Sequence, residues 1–129
     1  MYPDELLYTK EHEWVRLEGS MAEIGITDHA QKELGDIVFV ELPKVGTKVT
    51  AAESFGTIES VKAVSDIYSP VTGVVIAVNG RLQNAPELVN SDPHGDAWLI
   101  QVKLVDRAEA DSLMSAEQYE AYLKGEAAH

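Results

Sequence analysis

The sequence predicts a mainly β fold, a flattened barrel-sandwich hybrid of two antiparallel sheets, with a short helix in its first half and another near its C-terminus. Apolar, β-branched runs recur along the chain and are separated by turn residues, as short strands are. A weak repeat supports two related β-halves, since a Pro-x-x-Gly turn feeds a strand at 43–49 and again at 70–76. Helix-capping residues occur chiefly near residues 28 and 115.

Five apolar runs are predicted as strands because β-branched and other large apolar residues favour extended backbone. The first two flank a Glu-Gly-Ser turn and are predicted to form a hairpin. The third is closed by Pro43, and the fourth, the most β-prone, ends at Asn79. The five predicted strands are 14–17, 21–26, 37–42, 73–78 and 98–104.

The segment 28–34 is predicted as a helix of about two turns. Thr27 and Asp28 both offer N-caps, and Gln31 lies three residues beyond Asp28, as in a capping box. Gly35 follows at the position where glycine commonly ends a helix. A helix is therefore expected between the first hairpin and the third strand.

The last part of the chain predicts loops and one further helix. Residues 81–95 are polar and contain two prolines, so we expect short helical turns at most. Asp106 is placed to cap another turn. Ser115 and Gln118 form a capping box for a helix that runs to Lys124.

We expect a single domain over 1–129, with a core at about 21–104 and a C-terminal helical segment at about 106–125. A chain of 129 residues buries roughly two-thirds of its unfolded surface around one core. The absence of cysteine excludes disulfides and thiolate metal sites. No apolar run has the length of a membrane span, and the acidic segment 1–5 is unlike a signal peptide, so we expect a cytoplasmic protein that binds no membrane.

The charge balance also limits the class of partner. A formal net charge of −12 argues against nucleic-acid binding, which needs clustered lysine and arginine. An acidic surface suits docking to basic partners, but it also simply keeps a protein soluble. Composition leaves both explanations open.

One lysine, Lys62, lies midway between two strand-like segments. Apolar alternation does not continue in register across 60–65, which favours a hairpin with Lys62 at its tip. A lysine there projects its primary amine into solvent, within reach of a modifying enzyme. The local residues leave a helical alternative open, because no Gly, Asn, Asp or Pro marks a tight turn at 61–63.

The usual sequence patterns of metal sites and enzymes are absent. The histidines form no His-x-x-x-His pair and meet no cysteine, so no metal site is predicted. No Gly-rich phosphate loop and no Ser-His-Asp order is identifiable, and 22 acidic residues are too many for any pair to indicate acid–base catalysis. We assign no catalytic residue. The four histidines are His12, His29, His94 and His129, and we expect His12 and His29 to pack or to form hydrogen bonds.

Several motifs together resemble the glycine cleavage system H-protein family, within the lipoyl/biotinyl attachment superfamily. The chain has Glu-Ser-Val-Lys-Ala at 59–63, preceded by Gly-Ile-Thr-Asp-His-Ala-Gln at 25–31 and Val-Glu-Leu-Pro at 40–43. The resemblance extends from Tyr8 to the C-terminal helix. It implies two similar β-halves related by a quasi-twofold axis and a hairpin that carries a covalent cofactor.

The resemblance implies that Lys62 is the attachment site of lipoate, as N6-lipoyllysine. Biotin carriers place methionine on both sides of their lysine, whereas Val61 and Ala63 flank it here and Glu59 lies three residues before it. These three residues are the expected recognition context. The dithiolane of lipoate is a two-electron redox couple and, once opened, a thiol able to hold an aminomethyl group.

The modifying enzyme is expected to recognise the shape of the hairpin more than a long sequence. Gly56, Pro70 and Gly73 would then matter because they set the turns. We expect Gly73 to adopt a backbone conformation that a Cβ atom would strain.

Members of the family have a cleft that receives the loaded arm, lined by a glutamate just before the tryptophan and an aspartate four residues after the lysine. These positions are Glu13 and Asp66 in this chain. A third cleft position, often histidine in the family, is Glu33 here. The departure leaves the third contact open, although a carboxylate also pairs with an amine.

By this resemblance the protein is a non-catalytic carrier of the glycine cleavage system. Its arm takes an aminomethyl group from a pyridoxal-phosphate glycine decarboxylase (P protein) and passes it to a tetrahydrofolate-dependent aminomethyltransferase (T protein). Dihydrolipoamide dehydrogenase (L protein) reoxidises the arm, and lipoate ligase or octanoyltransferase installs it. The alternatives are a lipoyl domain of a 2-oxoacid dehydrogenase, which is shorter and typically has Asp-Lys-Ala at its tip, and a lipoyl relay that passes lipoate to other complexes.

Overall fold

A computed structural model describes residues 2–127 of the chain. The strands are β1 (Leu7–Tyr8), β2 (Glu13–Glu18), β3 (Met21–Ile26), β4 (Ile37–Glu41), β5 (Lys48–Val49), β6 (Ser54–Ser60), β7 (Val64–Tyr68), β8 (Gly73–Val78) and β9 (Ile100–Leu104). The helices are α1 (Asp28–Leu34), α2 (Arg81–Asn84), α3 (Leu88–Ser91), a 3₁₀ helix (Arg107–Ser112) and α4 (Ala116–Ala127). No helix in the described part of the chain is both long and apolar enough to cross a membrane.

The strands form two sheets that pack as an open sandwich. The larger sheet has the order β1-β2-β3-β9-β8-β5, and the smaller has the order β4-β6-β7. Neighbouring strands within 2–127 are antiparallel throughout. The prediction of a mainly β fold with two antiparallel sheets, an early helix and a C-terminal helix is confirmed.

The first hairpin and the first helix form where the sequence predicts them. β2 and β3 pair along their full length, and α1 covers 28–34. Thr27 is the N-cap of α1, because its hydroxyl accepts a hydrogen bond from the N–H of Ala30 at 3.2 Å. Asp28 instead accepts from the side chain of Gln31. Gly35 ends the helix with a φ of 82°, a conformation that is costly for other residues.

β4 is apolar in sequence but only partly buried. It is an edge strand of the smaller sheet, and its pairing with β6 shifts between Ile37 and Phe39. Ile37 and Val40 are buried, whereas Val38 and Phe39 are exposed. The irregular register therefore leaves two apolar side chains on the protein surface.

The two halves of the sequence repeat lie side by side, since β5 pairs with the start of β8. Gly73 begins β8, but the described glycines with positive φ are Gly19, Gly35 and Gly46. The expectation of a special backbone conformation at Gly73 is therefore wrong. A Cβ atom there would collide with the carbonyl oxygen of Lys103, so glycine is needed for space between β8 and β9.

The remaining elements follow the predicted order with shifted bounds. The segment 81–95 contains two short helices, and β9 begins at Ile100, two residues after the predicted start. Asp106 caps the 3₁₀ helix. In the predicted capping box of α4, Gln118 N–H donates to Ser115 Oγ at 3.2 Å and Ser115 N–H donates to Gln118 Oε1 at 2.9 Å.

Within residues 2–127, the buried apolar residues form two clusters. The larger lies between the sheets, and the smaller, mainly aromatic, holds α4 against the N-terminal strands. In the smaller cluster the rings of Tyr8 and Tyr119 stack with centroids 4.8 Å apart. Trp14 is fully buried and its indole N–H donates to the carbonyl oxygen of Pro93 at 2.8 Å. This cluster fixes the segment that carries Glu13.

Candidate functional site

Lys62 lies in the turn between β6 and β7, so the predicted hairpin is present. Glu59 and Val64 are its last paired residues, and Ser60 N–H donates to the carbonyl oxygen of Ala63 at 2.8 Å. Ser60 Oγ accepts hydrogen bonds from the N–H groups of Lys62 and Ala63, at 3.3 and 3.1 Å. These serine hydrogen bonds build the turn without a glycine or asparagine, which explains why local turn residues did not reveal it.

The turn is anchored to the loop that follows α1. Val61 N–H donates to the carbonyl oxygen of Asp36 at 3.0 Å. Lys62 is exposed and forms no ion pair within 4.0 Å with any residue in 2–127. Its stem passes Gly35, where a Cβ atom would lie 3.5 Å from Lys62 Cε. The amine is therefore accessible and lies near the C-terminal end of α1.

The residues around the lysine present an exposed, partly apolar surface. Val61 and Val64 are 69% and 67% exposed, and Ala63 is also exposed. Glu59 pairs with Phe39 on one side and with Val64 on the other, so these three exposed residues form a row across the smaller sheet. A protein that acts on the lysine would meet this row.

Glu13 is a buried carboxylate, only 3% exposed. Its Oε1 accepts from the hydroxyl of Thr9 at 2.6 Å, and its Oε2 accepts from the N–H of Tyr68 at 3.3 Å. Burial raises the pKa of Glu13 to about 7, although these two hydrogen bonds oppose the rise. A carboxyl group in this state readily loses its proton when a cation approaches.

Glu13 and Asp66 line one cavity, together with Glu11. A groove of about 260 Å³ shares Glu11 and Glu13 with this cavity and extends to Thr9 and Tyr68. We call the two together the acidic cleft. Sequence reasoning missed Glu11, whose position two residues before Glu13 was the available signal. The apolar walls of the cavity are Ile26, Ala30, Leu34, Ile58 and Ile67.

The predicted cleft residues differ in their placement. Asp66 is exposed, and Ser54 Oγ lies 3.5 Å from its Oδ1. Glu33 is not among the described residues that line the acidic cleft. Its Oε1 lies 3.2 Å from His29 Nε2 on the exposed side of α1. The structure thus brings Glu13 and Asp66 together and places Glu33 beside a histidine.

The other histidines take part in packing and hydrogen bonds. His94 Nε2 accepts from the N–H of Asp28 at 3.0 Å, and His12 Nδ1 lies 2.7 Å from the hydroxyl of Tyr119. Burial lowers the pKa of His94. His129 lies outside the described residues.

Comparison with known proteins decides the family. The profile described as Glycine cleavage H-protein matches residues 6–126, which contain the hairpin and the acidic cleft. The chain belongs to the glycine cleavage H-protein family. It is 60% identical over 123 residues to a glycine cleavage system H protein of Brevibacillus brevis, covering 95% of this chain and 98% of the relative. It is also 60% identical to that of Geobacillus kaustophilus, over 94% of this chain and 95% of the relative.

A solved structure agrees with the sequence comparison. The crystal structure of a glycine cleavage system H protein from Mycobacterium marinum superimposes with a TM-score of 0.87 at 36% identity. The match covers 95% of this chain and 99% of that one. The two-sheet architecture and the family membership therefore support each other.

Proposed function

We propose that this chain is the lipoylated carrier of a glycine cleavage system, with lipoate joined by an amide bond to Nζ of Lys62. The observation that carries the proposal is an exposed lysine at a hairpin tip beside an acidic cleft, in a member of this family. When bound, the lipoyl group supplies a dithiolane that accepts an aminomethyl group and electrons. The chain itself supplies no catalytic residue in this proposal.

The chain's own residues fit such a group. It has no cysteine, so no protein thiol can exchange with the dithiolane. The stem of Lys62 passes the end of α1, and the same helix contributes Ala30 and Leu34 to the cleft. We infer that these apolar walls contact the hydrocarbon part of the arm.

The carboxylates of the cleft are proposed to hold the cationic end of the loaded arm. Glu13 and Asp66 share a cavity with Glu11, and a charge-assisted hydrogen bond contributes roughly 1.5–3 kcal/mol where solvent is excluded. Glu13 is buried and suits this estimate, whereas exposed Asp66 contributes less. A role for Glu33 stays a prediction.

The proposed partners are the P, T and L proteins, with a lipoate ligase or octanoyltransferase for attachment, all in the cytoplasm. The exposed row of Phe39, Glu59 and Val64, with adjacent Val61, supports docking of such partners next to the lysine. We also propose a core at about 21–104 and a C-terminal helical segment at about 106–125. Nucleic acid and membranes are not proposed as partners.

The test is glycine–bicarbonate exchange with purified P protein, using wild type, Lys62→Arg and the matched control Lys44→Arg after incubation with lipoate ligase. Wild type and Lys44→Arg are expected to support exchange, and Lys62→Arg is expected to support none. Equal exchange with Lys62→Arg would contradict the proposal. A lipoylated wild type that supports no exchange but passes lipoate to a 2-oxoacid dehydrogenase subunit would favour the relay instead.

A further inference from the structure

His12, from the segment before β2, lies close to His29 and Glu33 on α1. One ligand atom from each of His12, His29 and Glu33 lies within 4.8 Å of the others. His29 and Glu33 are one turn apart on α1, and Thr27 N–H donates to the carbonyl oxygen of His12 at 3.0 Å. That hydrogen bond continues the pairing of β2 with β3 and brings His12 to the start of the helix.

The ring of His12 is held by its surroundings. Its Nδ1 lies 2.7 Å from the hydroxyl of Tyr119, which itself lies 2.8 Å from Thr27 Oγ1. Its Nε2 lies 3.6 Å from Oε1 of Glu126 on α4. A hydrogen bond to one ring nitrogen fixes the orientation of a metal-binding histidine and leaves the other nitrogen for the ion.

The cluster places two imidazole rings and two carboxylates close together. The rings of His12 and His29 have centroids 4.5 Å apart, and each Nε2 faces a carboxylate. A single divalent cation between these groups would take one nitrogen from each ring and one oxygen from each carboxylate.

We propose that His12, His29 and Glu33 form a binding site for Zn²⁺, with Glu126 as a fourth ligand from α4. Imidazole nitrogens and carboxylate oxygens are usual zinc ligands in a tetrahedral site. Glu33 and Glu126 are exposed, so a change of side-chain rotamer would bring a carboxylate oxygen of each within bonding distance of the ion. The ion would tie α1 and α4 to the residue that precedes Glu13. This site does not depend on lipoate or on the proposed carrier function.

The proposal is tested on the unlipoylated full chain without an affinity tag, titrated with Zn²⁺ and, as a control ion, Mg²⁺. The chain has no cysteine, so no protein thiolate competes for zinc. The variants are His29→Gln and Glu33→Gln, with Glu117→Gln on α4 as the matched control. His29 and Glu33 are on the helix surface, and the melting temperature without metal shows that each variant is folded.

Zn²⁺ is expected to raise the melting temperature of wild type and of Glu117→Gln, because it binds only the folded chain. Mg²⁺ is expected to leave both melting temperatures unchanged. His29→Gln and Glu33→Gln should each lose at least about tenfold in calorimetric Zn²⁺ affinity, since even an indirect partner of a ligand accounts for about tenfold or more. No zinc-dependent shift in wild type, an equal shift with Mg²⁺, or unchanged affinity in both variants would overturn the proposal.

Discussion

The backbone N–H of Tyr68 on β7 donates a hydrogen bond to the carboxylate of Glu13 on β2, 3.3 Å away. β2 belongs to the larger sheet and β7 to the smaller, so this bond crosses between the sheets at the acidic cleft. Because Glu13 is buried and its pKa is about 7, its ionisation affects both the charge of the cleft and the stability of the fold.

Replacing Glu13 with glutamine should remove a pH dependence of stability. As pH rises from about 4.5 to about 7, the unfolded chain ionises Glu13 while the folded chain keeps the proton, so wild type loses stability in that window. Between pH 5 and pH 8, the decrease in the free energy of unfolding should be about 2–3 kcal/mol smaller in Glu13→Gln than in wild type. Urea unfolding at a series of pH values measures it.

The comparison is with Glu18→Gln, which changes an exposed carboxylate at the other end of β2. Its stability should follow the wild-type pH profile. Identical profiles for wild type and Glu13→Gln would show that Glu13 has no raised pKa in the folded chain.

The second prediction concerns space at Gly73. Gly73→Ala should destabilise the fold by about 1–3 kcal/mol, because its Cβ would collide with the carbonyl oxygen of Lys103 and force β8 and β9 apart. Gly80→Ala is the control, since a Cβ there meets no atom within 4 Å. Unfolding midpoints in urea give both values. Equal midpoints for Gly73→Ala and wild type would rule out the steric requirement.

Much of the fold was predictable because its signals are local. The cap at Thr27, the stop at Gly35 and the capping box at Ser115 each act within a few residues, and all three formed as expected. The register shift of β4, which exposes Phe39, depends on pairing with a strand distant in sequence. No pattern within β4 itself encodes it.

The candidate site was predictable only in part, for the same reason. Lys62, Glu13 and Asp66 were identified through motifs shared with a family. Glu11 joins the cleft through the path of the chain before β2, and its position two residues before Glu13 was the available sequence signal. The convergence of His12 with His29 arises from the pairing of β2 with β3, so a search for His-x-x-x-His spacing missed it.

The third prediction concerns the docking surface. Phe39→Ser should raise the KM of P protein for the lipoylated chain, because Phe39 is 47% exposed in the row next to the lysine hairpin. Stability should change by less than about 0.5 kcal/mol, as is usual for a surface residue. Val105→Ser, at an exposed apolar residue after β9, is the control. Equal KM values of P protein for both variants would show that Phe39 is not part of the docking surface.

The fourth prediction concerns protection of the loaded arm. Glu13→Gln and Asp66→Asn should each speed release of ammonia from purified loaded protein without the folate-dependent partner, since each removes a carboxylate from the cleft. The larger effect is expected at Glu13, which is buried. Glu18→Gln should release ammonia at the wild-type rate. If both cleft variants match that rate, these carboxylates do not hold the arm.

The central claim is that Lys62 is the sole lipoylation site, and intact-protein mass spectrometry tests it directly. Wild type and Lys44→Arg incubated with lipoate ligase, ATP and lipoate should each gain the mass of one lipoyl group. Lys62→Arg should gain none while keeping its melting temperature, because the side chain is exposed and carries no ion pair within 2–127. A lipoyl mass on folded Lys62→Arg would contradict the assignment.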